Sequence, residues 1–414
     1  MLPRVPVQPR SLEQYQGIAD PEVLAEIRSL AKGLRGARVL HINSTAHGGG
    51  VAEMLYTLVP LMEGVGLRAE WRLMEGDQDF FTITKLFHNS LQGMEIPITH
   101  EMKVKYLSVC EENASRFDQE YDFVVVHDPQ PCAIIAALEG TPFRKGKWIW
   151  RCHIDSTYAR DDAWEFLKAY INRYDGAVFT MDKYIKSPLE VAALAFIPPS
   201  IDPLSAKNII PEKRVQSDIA RRYGVDETRP IMLQVSRFDP WKDPLGLVDC
   251  FRAVKAAHRD VQLVYLASMA DDDPEGWHYY EKTYEYSAGD PDVFLLSNQQ
   301  GIGNVEVSAF QAMATVVIQK SLREGFGLTV AEAMWKRKPV VAGRVGGILL
   351  QVDDGMNGFL VDRIEEAAEK VCLLLESPAT AQRMGDAGHE KVRRNFLCTR
   401  HLRDYLRFFH MLLD

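Results

Sequence analysis

Short apolar segments of strand character recur along this chain, each followed by a loop or a helical stretch, and the series runs twice with a proline-stiffened break between. Such alternation is the pattern of parallel sheets covered by helices on both faces. In the first half the predicted strands are residues 37–42, 68–73, 123–126, 147–150 and 176–179. In the second they are 231–235, 261–266, 293–296, 316–318 and 339–341. The break is Ile197-Pro-Pro-Ser-Ile-Asp-Pro203, where three prolines stiffen the backbone before a polar segment. The fold class expected is α/β, with two doubly wound parallel-sheet domains, residues 1–200 and 205–394. A last amphipathic stretch, 402–413 within a terminal segment 395–414, is expected to pack back on the first domain. Ligands of such sheets sit at the carboxyl ends of the strands, so a cleft between two facing domains is the expected site.

The length supports that division, because 414 residues exceed what one ordinary core organises. A net charge of −9 argues against a general nucleic-acid binder, so an anionic ligand has to be held by local charge. The six cysteines, at 110, 132, 152, 250, 372 and 398, show no metal-ligating spacing, which suits thiols in a reducing compartment. No apolar run approaches a membrane span and no signal core follows the first basic residues, so a cytoplasmic protein is expected.

Local charge is concentrated in two segments. Glu-Gly-Phe-Gly-Leu-Thr-Val-Ala-Glu places seven residues between Glu324 and Glu332, and Ser-Arg-Phe-Asp-Pro-Trp-Lys places Arg237 five positions before Lys242. Eight helical steps turn through about 800°, so two carboxylates on one regular helix would diverge by about 80°. Glu324 is therefore expected in the loop, with Thr329 as an N-cap and Glu332 about one turn into the helix. Gly325, Phe326, Gly327, Leu328 and Thr329 would offer backbone amides to phosphate at the helix start, where the dipole is favourable. Arg237 and Lys242 would add full charges for a departing diphosphate. Either half alone is also the pattern of a capped surface helix or a solvated turn; together, at the ends of predicted strands, they point to a sugar-diphosphate site.

The first half offers a weaker set. Gly48, Gly49 and Gly50 form a strand-to-helix turn that fits neither the Walker loop nor the dinucleotide fingerprint. They serve close approach of backbone to an anion, or relief of crowding. Polar residues close three other strands: His41; His127, Asp128 and Gln130; His153 and Asp155. Their spacing lacks the signatures of a zinc site, and hydrogen bonding to sugar hydroxyls competes with plain satisfaction of the histidines within packed loops. The run Asp271-Asp272-Asp273 reads either as a metal-binding acidic motif or as a helix cap. Gly346-Gly347 reads as a turn that also edges the donor pocket.

Six segments carry a family resemblance: His-Ile-Asn-Ser-Thr-Ala-His-Gly-Gly-Gly from 41, His-Asp-Pro-Gln-Pro from 127, Trp-Arg-Cys-His-Ile-Asp from 150, Pro-Pro-Ser-Ile-Asp-Pro from 198, Val-Ser-Arg-Phe-Asp-Pro-Trp-Lys from 235 and Arg-Glu-Gly-Phe-Gly-Leu-Thr-Val-Ala-Glu from 323. The chain resembles the trehalose glycosyltransferring synthases, within the retaining glycosyltransferases of family 4. That resemblance implies a GT-B fold of two Rossmann-like domains and a glucosyltransferase making α,α-trehalose from a nucleoside diphosphate glucose and free glucose, reversibly. It implies Arg237 and Lys242 on the diphosphate, Glu324 on donor-glucose hydroxyls, Glu332 on the ribose, and Gly325 to Thr329 with Gly48 to Gly50 as further donor contacts. His153 and Asp155, with Asp128 and Gln130, would hold the acceptor side, and catalysis would rest on Arg237, Lys242, Glu324, His153 and Asp155. No cofactor is obligatory; Mg2+ is allowed but not required. Small-molecule substrates (the nucleotide sugar, glucose and trehalose) are the partners expected, without nucleic acid or membrane, and a homodimer fits the resemblance. The alternatives are a retaining trehalose phosphorylase using inorganic phosphate, and a non-catalytic sugar-nucleotide sensor. The stretches Gly301-Ile-Gly-Asn-Val305, Lys242-Asp-Pro and Ser156-Thr-Tyr depart from the family pattern, which leaves the base open among uridine, adenosine and guanosine.

Overall fold

Among the described residues, twelve strands form two parallel sheets, one in each of two units. The computed structural model describes residues 1–47, 49–269 and 274–414. The expectations for Gly48 and for the run 271–273 lie outside the described residues. One unit comprises Met1–Ser200 with Cys398–Asp414, the other Ile201–Leu397.

The first unit holds β1 (Arg38–Asn43), β2 (Arg68–Leu73), β3 (Phe123–His127), β4 (Lys147–Arg151), β5 (Gly176–Phe179) and β6 (Ala193–Phe196), in the order β2-β1-β3-β4-β5-β6. Every named pairing is parallel. Five of these strands match the sequence expectation to within a residue at either end. β6 was not expected: it is an edge strand of four residues whose Leu194 and Phe196 are exposed, so it lacks the continuous apolar run of a buried parallel strand.

Alternation along the strands gives this sheet two unlike faces. Leu40, Ile42, Val124, Val126, Trp148, Trp150 and Phe179 point into one apolar core with Phe80, Phe87 and Tyr106. The opposite side carries His41, His127 and Arg151, all buried. The helix Cys398–Leu413 belongs to this unit and packs against the helices Pro21–Gly33 and Gly50–Gly64 and against β6. Phe409 stacks on Phe123 at 4.2 Å between ring centroids, and a side chain at Gly176 would meet Phe408 at 2.8 Å. That helix therefore seals polar strand ends beneath an aromatic layer.

The second unit holds β7 (Ile231–Val235), β8 (Gln262–Ala267), β9 (Val293–Ser297), β10 (Val316–Gln319), β11 (Val340–Gly343) and β12 (Phe359–Val361), in the order β12-β11-β10-β7-β8-β9. Counted from its own first strand this is the order 3-2-1-4-5-6 of dinucleotide-binding sheets. Chain direction reverses across the sheet between β7 and β10, so the loops leaving those two strands flank the crevice in which such folds hold ligands. One face is packed by the helices Pro244–Ala257 and Ile364–Glu376, with Phe251, Val371 and Leu374 against Met232, Leu263 and Ile318.

The aromatic layer over the first sheet sets a stability prediction. Phe409→Ala is expected to cost about 3–5 kcal/mol, the range for deleting a fully buried Phe. Chemical denaturation of the variant beside the parent measures it, and a loss under 1 kcal/mol would mean the helix does not depend on this contact.

Candidate functional site

In the second unit, the loops following β7 and β10 are stitched to each other. Leu322 donates its N–H to the Trp241 carbonyl at 2.8 Å, and the Arg323 guanidinium lies over the Trp241 ring at 4.6 Å. Asp239 caps the short turn Pro240–Lys242 by accepting from the Lys242 N–H at 3.2 Å. That places the Lys242 ammonium 2.6 Å from Glu324, whose carboxylate also accepts from Ser321 Oγ at 3.2 Å. Arg237 stands at the rim with 64% of its side chain exposed and reaches Asp239 at 3.4 Å. Burial pushes the Asp239 carboxyl up while Lys242 and Arg237 pull it back. Arg237, Lys242 and Glu324 are thus brought together beside the start of the helix Leu328–Trp335.

Glu324 lies in the loop before that helix, but the helix is capped differently from the sequence expectation. Gly327, not Thr329, is the N-cap, in the left-handed region at φ +79°. Thr329 is already inside the first turn, and its hydroxyl donates to Gln319 Oε1 at 3.2 Å. Only a glycine suits position 327, since a Cβ there would be strained and would press on Glu324 Cγ at 3.2 Å. Gly347 backs the same loop: its N–H donates to the Glu324 carbonyl at 3.3 Å, and a Cβ would meet the Gly325 carbonyl at 2.5 Å. The backbone of Gly325 to Leu328, Phe326 included, is held by these contacts and by Gln351 Nε2, which donates to the Phe326 carbonyl at 2.5 Å.

Glu332 is one turn in and fully buried, at 0% exposure. Lys207 pairs with one carboxylate oxygen at 2.7 Å, and Gln311 donates to the other at 3.1 Å. Lys336, also buried, donates to the Lys207 carbonyl and to Gln311 Oε1, each at 2.8 Å. Sequence reasoning missed Lys207, Gln311 and Lys336. Lys207 and Gln311 come from a linker and another helix, and nothing in the sequence joins them to Glu332; Lys336 lies four residues after Glu332 at the end of the same helix, a spacing that could have pointed to it.

In the first unit, Gly49 is the N-cap of the helix Gly50–Gly64, at φ 120°. Asp128 takes a left-handed conformation, φ 64°, rare for a residue with a Cβ and concentrated at functional loops. Its carboxylate accepts the His153 N–H at 2.8 Å, and its carbonyl accepts Trp150 Nε1 at 3.1 Å. Burial raises the Asp128 carboxyl to about 7, against the lowering effect of that N–H and of Arg151. Gln130 follows on the same loop, with its carbonyl facing Cys110 Sγ. Asp155 is occupied locally, accepting from the Thr157 N–H at 3.1 Å and the Thr157 hydroxyl at 2.6 Å.

His41, His127 and His153 meet in one chain, with 2.9 Å between the first pair and 3.0 Å between the second. The C-terminal helix adds His401, which stacks on Tyr405, and Tyr405 lies edge-on to His41. Arg151 and Arg400 are buried alongside, donating to the carbonyls of Ile197 and of Pro198 and Pro199. His401 and Tyr405 gave no sequence signal beyond helix periodicity. Burial drives every one of these imidazoles towards its neutral form, His41 to about 3. Among the described residues, no group of three or more His, Cys, Asp and Glu is arranged to hold a metal ion, and no helix is long and apolar enough to cross a membrane.

Comparison with known proteins gives the following. Residues 41–186 match the family model described as the trehalose synthase N-terminal domain, and residues 215–391 match that of the group 1 glycosyl transferases. A trehalose synthase of Rubrobacter xylanophilus is 50% identical over all of both chains. One of Pyrococcus horikoshii is 45% identical over 97% of each. Among solved structures, a UDP-forming trehalose-phosphate synthase of Burkholderia xenovorans superposes with a TM-score of 0.72 at 15% identity, covering 92% of this chain and all of that one. That structural likeness speaks for the fold.

Two predictions arise from this geometry. Removing Lys207 leaves a buried carboxylate without its counter-charge, so Lys207→Met is expected to cost about 3–5 kcal/mol, and adding Glu332→Gln to recover most of it. Denaturation of the single and double variants tests this; an additive double would show the ion pair is not coupled.

The second concerns pH. His41 binds a proton in the unfolded chain below about 6.5 but in the folded protein only near 3. Its contribution is therefore present above 6.5 and lost as pH falls through that window. Asp128, raised to about 7, acts in the opposite sense between 3.8 and 7 in parent and variant alike. His41→Leu should make stability fall less steeply between pH 6 and 4, by about 1.4 kcal/mol per pH unit, read from urea midpoints across that range. Parallel curves for parent and variant would contradict a neutral, buried His41.

Proposed function

The chain belongs to the trehalose synthase family of glycosyltransferases, and from that premise we propose that it moves a glucosyl group from a nucleoside diphosphate glucose to free glucose, with retention, to give α,α-trehalose. The observation that carries this reading is the meeting of Arg237, Lys242 and Glu324 at the start of the helix Leu328–Trp335, beside the point where strand order reverses. Two cations and a helix N-terminus answer a diphosphate, and a carboxylate 2.6 Å from one cation answers the hydroxyls of the hexose attached to it.

As the bond from the anomeric carbon to the phosphate oxygen lengthens, negative charge grows on the diphosphate and positive charge on the sugar. Arg237, Lys242 and the amides near Gly327 stabilise the first. The glucose hydroxyl attacks from the same face as the leaving group, and the departing phosphate oxygen takes its proton, so no protein nucleophile is needed. His153, with Asp155, Asp128 and Gln130, is assigned to sugar hydroxyls, and Gly48 to Gly50 to further donor contacts. Glu332 is assigned to the ribose, which requires Gln311, the neutral partner of its second oxygen, to yield its place while the Lys207 ion pair is kept. Run backwards, the same geometry splits trehalose with a nucleoside diphosphate.

Incubation with nucleoside diphosphate glucose and 13C-labelled glucose, followed by NMR, is expected to show the α,α linkage. Glucose 1-phosphate released from trehalose by inorganic phosphate, with no nucleotide dependence, would replace this reading with a phosphorylase. At saturating donor, Arg237→Ala should lower kcat by about 100- to 1,000-fold, the usual effect of losing one preorganised donor to a developing anion. An unchanged kcat would remove Arg237 from the leaving-group role.

A further inference from the structure

The three linked histidines of the first unit obey a proton count that ties one end of the chain to the other. His41 Nδ1 faces His127 Nε2 and His127 Nδ1 faces His153 Nε2, with the rings stacked at 5.2 and 5.3 Å between centroids. The two terminal nitrogens, His41 Nε2 and His153 Nδ1, are buried and have no hydrogen-bond partner among the described residues. A neutral imidazole carries one N–H and one lone pair. Three rings thus bring three protons to six nitrogens; two protons fill the N···N contacts and the third sits at one end.

Only two arrangements satisfy both contacts. If His41 donates from Nδ1, His127 must accept at Nε2 and donate from Nδ1, and His153 must accept at Nε2 and carry its own proton on Nδ1. If the direction reverses, all three protons are on Nε2. Any mixture sets two lone pairs or two protons against each other at about 3 Å. A charged His127 would relax the rule, and its surroundings oppose one: it is buried, flanked by the other two imidazoles and by Arg151. The remaining groups around the chain are His401, Tyr405 and Arg400 from the C-terminal helix, with Asp128 as the nearby carboxyl.

The geometry points to His41 and His127 as positioning residues for His153: the three rings share one tautomer, so His153 Nδ1 donates only when His41 Nε2 is bare and accepts only when His41 Nε2 carries the proton. A hydroxyl that bonds His153 Nδ1 selects one state of the whole chain. The assignment of a sugar hydroxyl to His153 rests on the function proposed above; the tautomer coupling does not.

The test uses the intact protein labelled with 15N at histidine, because Nδ1 and Nε2 shifts distinguish a protonated nitrogen from a bare one. The expected result is a common tautomer for His41, His127 and His153, together with a changed His153 spectrum in His41→Leu. No hydrogen bond or ring contact of the described residues links those two directly; the second route between them, through Tyr405 and His401, has no N···N hydrogen bond, so the diagnostic change is in the His153 tautomer. Mixed tautomers, or an unmoved His153, overturn the relay; should His41→Leu fail to fold, the parent pattern alone decides. In turnover, His41→Leu should lower kcat about tenfold or more with donor KM within about twofold, and His41→Gln, which keeps a donor and an acceptor, should recover most of it. A parent-like kcat in His41→Leu overturns the positioning role. A parent that makes no trehalose refutes the proposed function, while the 15N pattern still judges the relay.

Discussion

The ion pair between Lys242 and Glu324 is the contact through which the second unit turns sheet order into a site. The two residues are far apart in sequence, yet β7 and β10 are neighbours in the sheet and both release their loops at the same edge. Parallel strands leave their carboxyl-end carbonyls and following amides without ladder partners, so the loops there have to be satisfied by side chains and helix starts. Asp239 and Gln351 supply such bonds to the backbone of these loops, and Gln319 donates to Ser321, which in turn donates to Glu324. Lys242 is consequently held against Glu324, and in the function proposed above a preorganised donor of this kind costs no reorganisation when charge develops on a leaving group.

The first unit solves a different problem. Its sheet carries imidazole and guanidinium groups on one face, and desolvating them is unfavourable unless they are neutral or paired. The imidazoles meet the condition by staying neutral; Arg400 meets it with the carbonyls of Pro198 and Pro199 and with Asp404, whereas Arg151 bonds the Ile197 carbonyl and leaves its Nε and Nη1 without a partner among the described residues. Phe408, Phe409 and Leu412 then make the covering helix favourable by burying apolar surface across the same layer.

Much of the fold was legible because buried parallel strands read as continuous apolar runs, and ten of the twelve strands announced themselves so. β6 did not, because an edge strand is wet on one side. Phe359–Val361 is three residues long, too short to stand out as an apolar run. The Arg237–Lys242 and Glu324–Glu332 segments were visible because their spacing is local. Thr329 misled for a local reason as well: hydroxyl residues are the commoner caps, but a glycine in the left-handed region two residues earlier had already turned the chain. Lys207 and Gln311 were invisible because their partners lie on other elements, where periodicity and motif carry no information; Lys336, His401 and Tyr405 have same-helix neighbours four residues away, but their contacts to Gln311, Ser200 and His41 cross elements.

Glu332 shows why a motif residue and a site residue need not coincide in the resting chain. A buried carboxylate is held by charge and hydrogen bonds together, and Lys207 supplies the charge from the segment that follows the prolines. A ribose offers hydroxyls but no charge, so it cannot take the place of Lys207 as counter-ion; it can only compete for a lone pair that the ammonium leaves over. Binding at Glu332 would therefore have to keep the ion pair and insert beside it, with Gln311, the neutral partner, as the group that yields. That ordering follows from electrostatics in a low-dielectric interior, where losing a counter-charge costs more than losing one amide hydrogen bond. It makes Lys207 directly, and Lys336 through Gln311, part of what holds the Glu332 carboxylate in place.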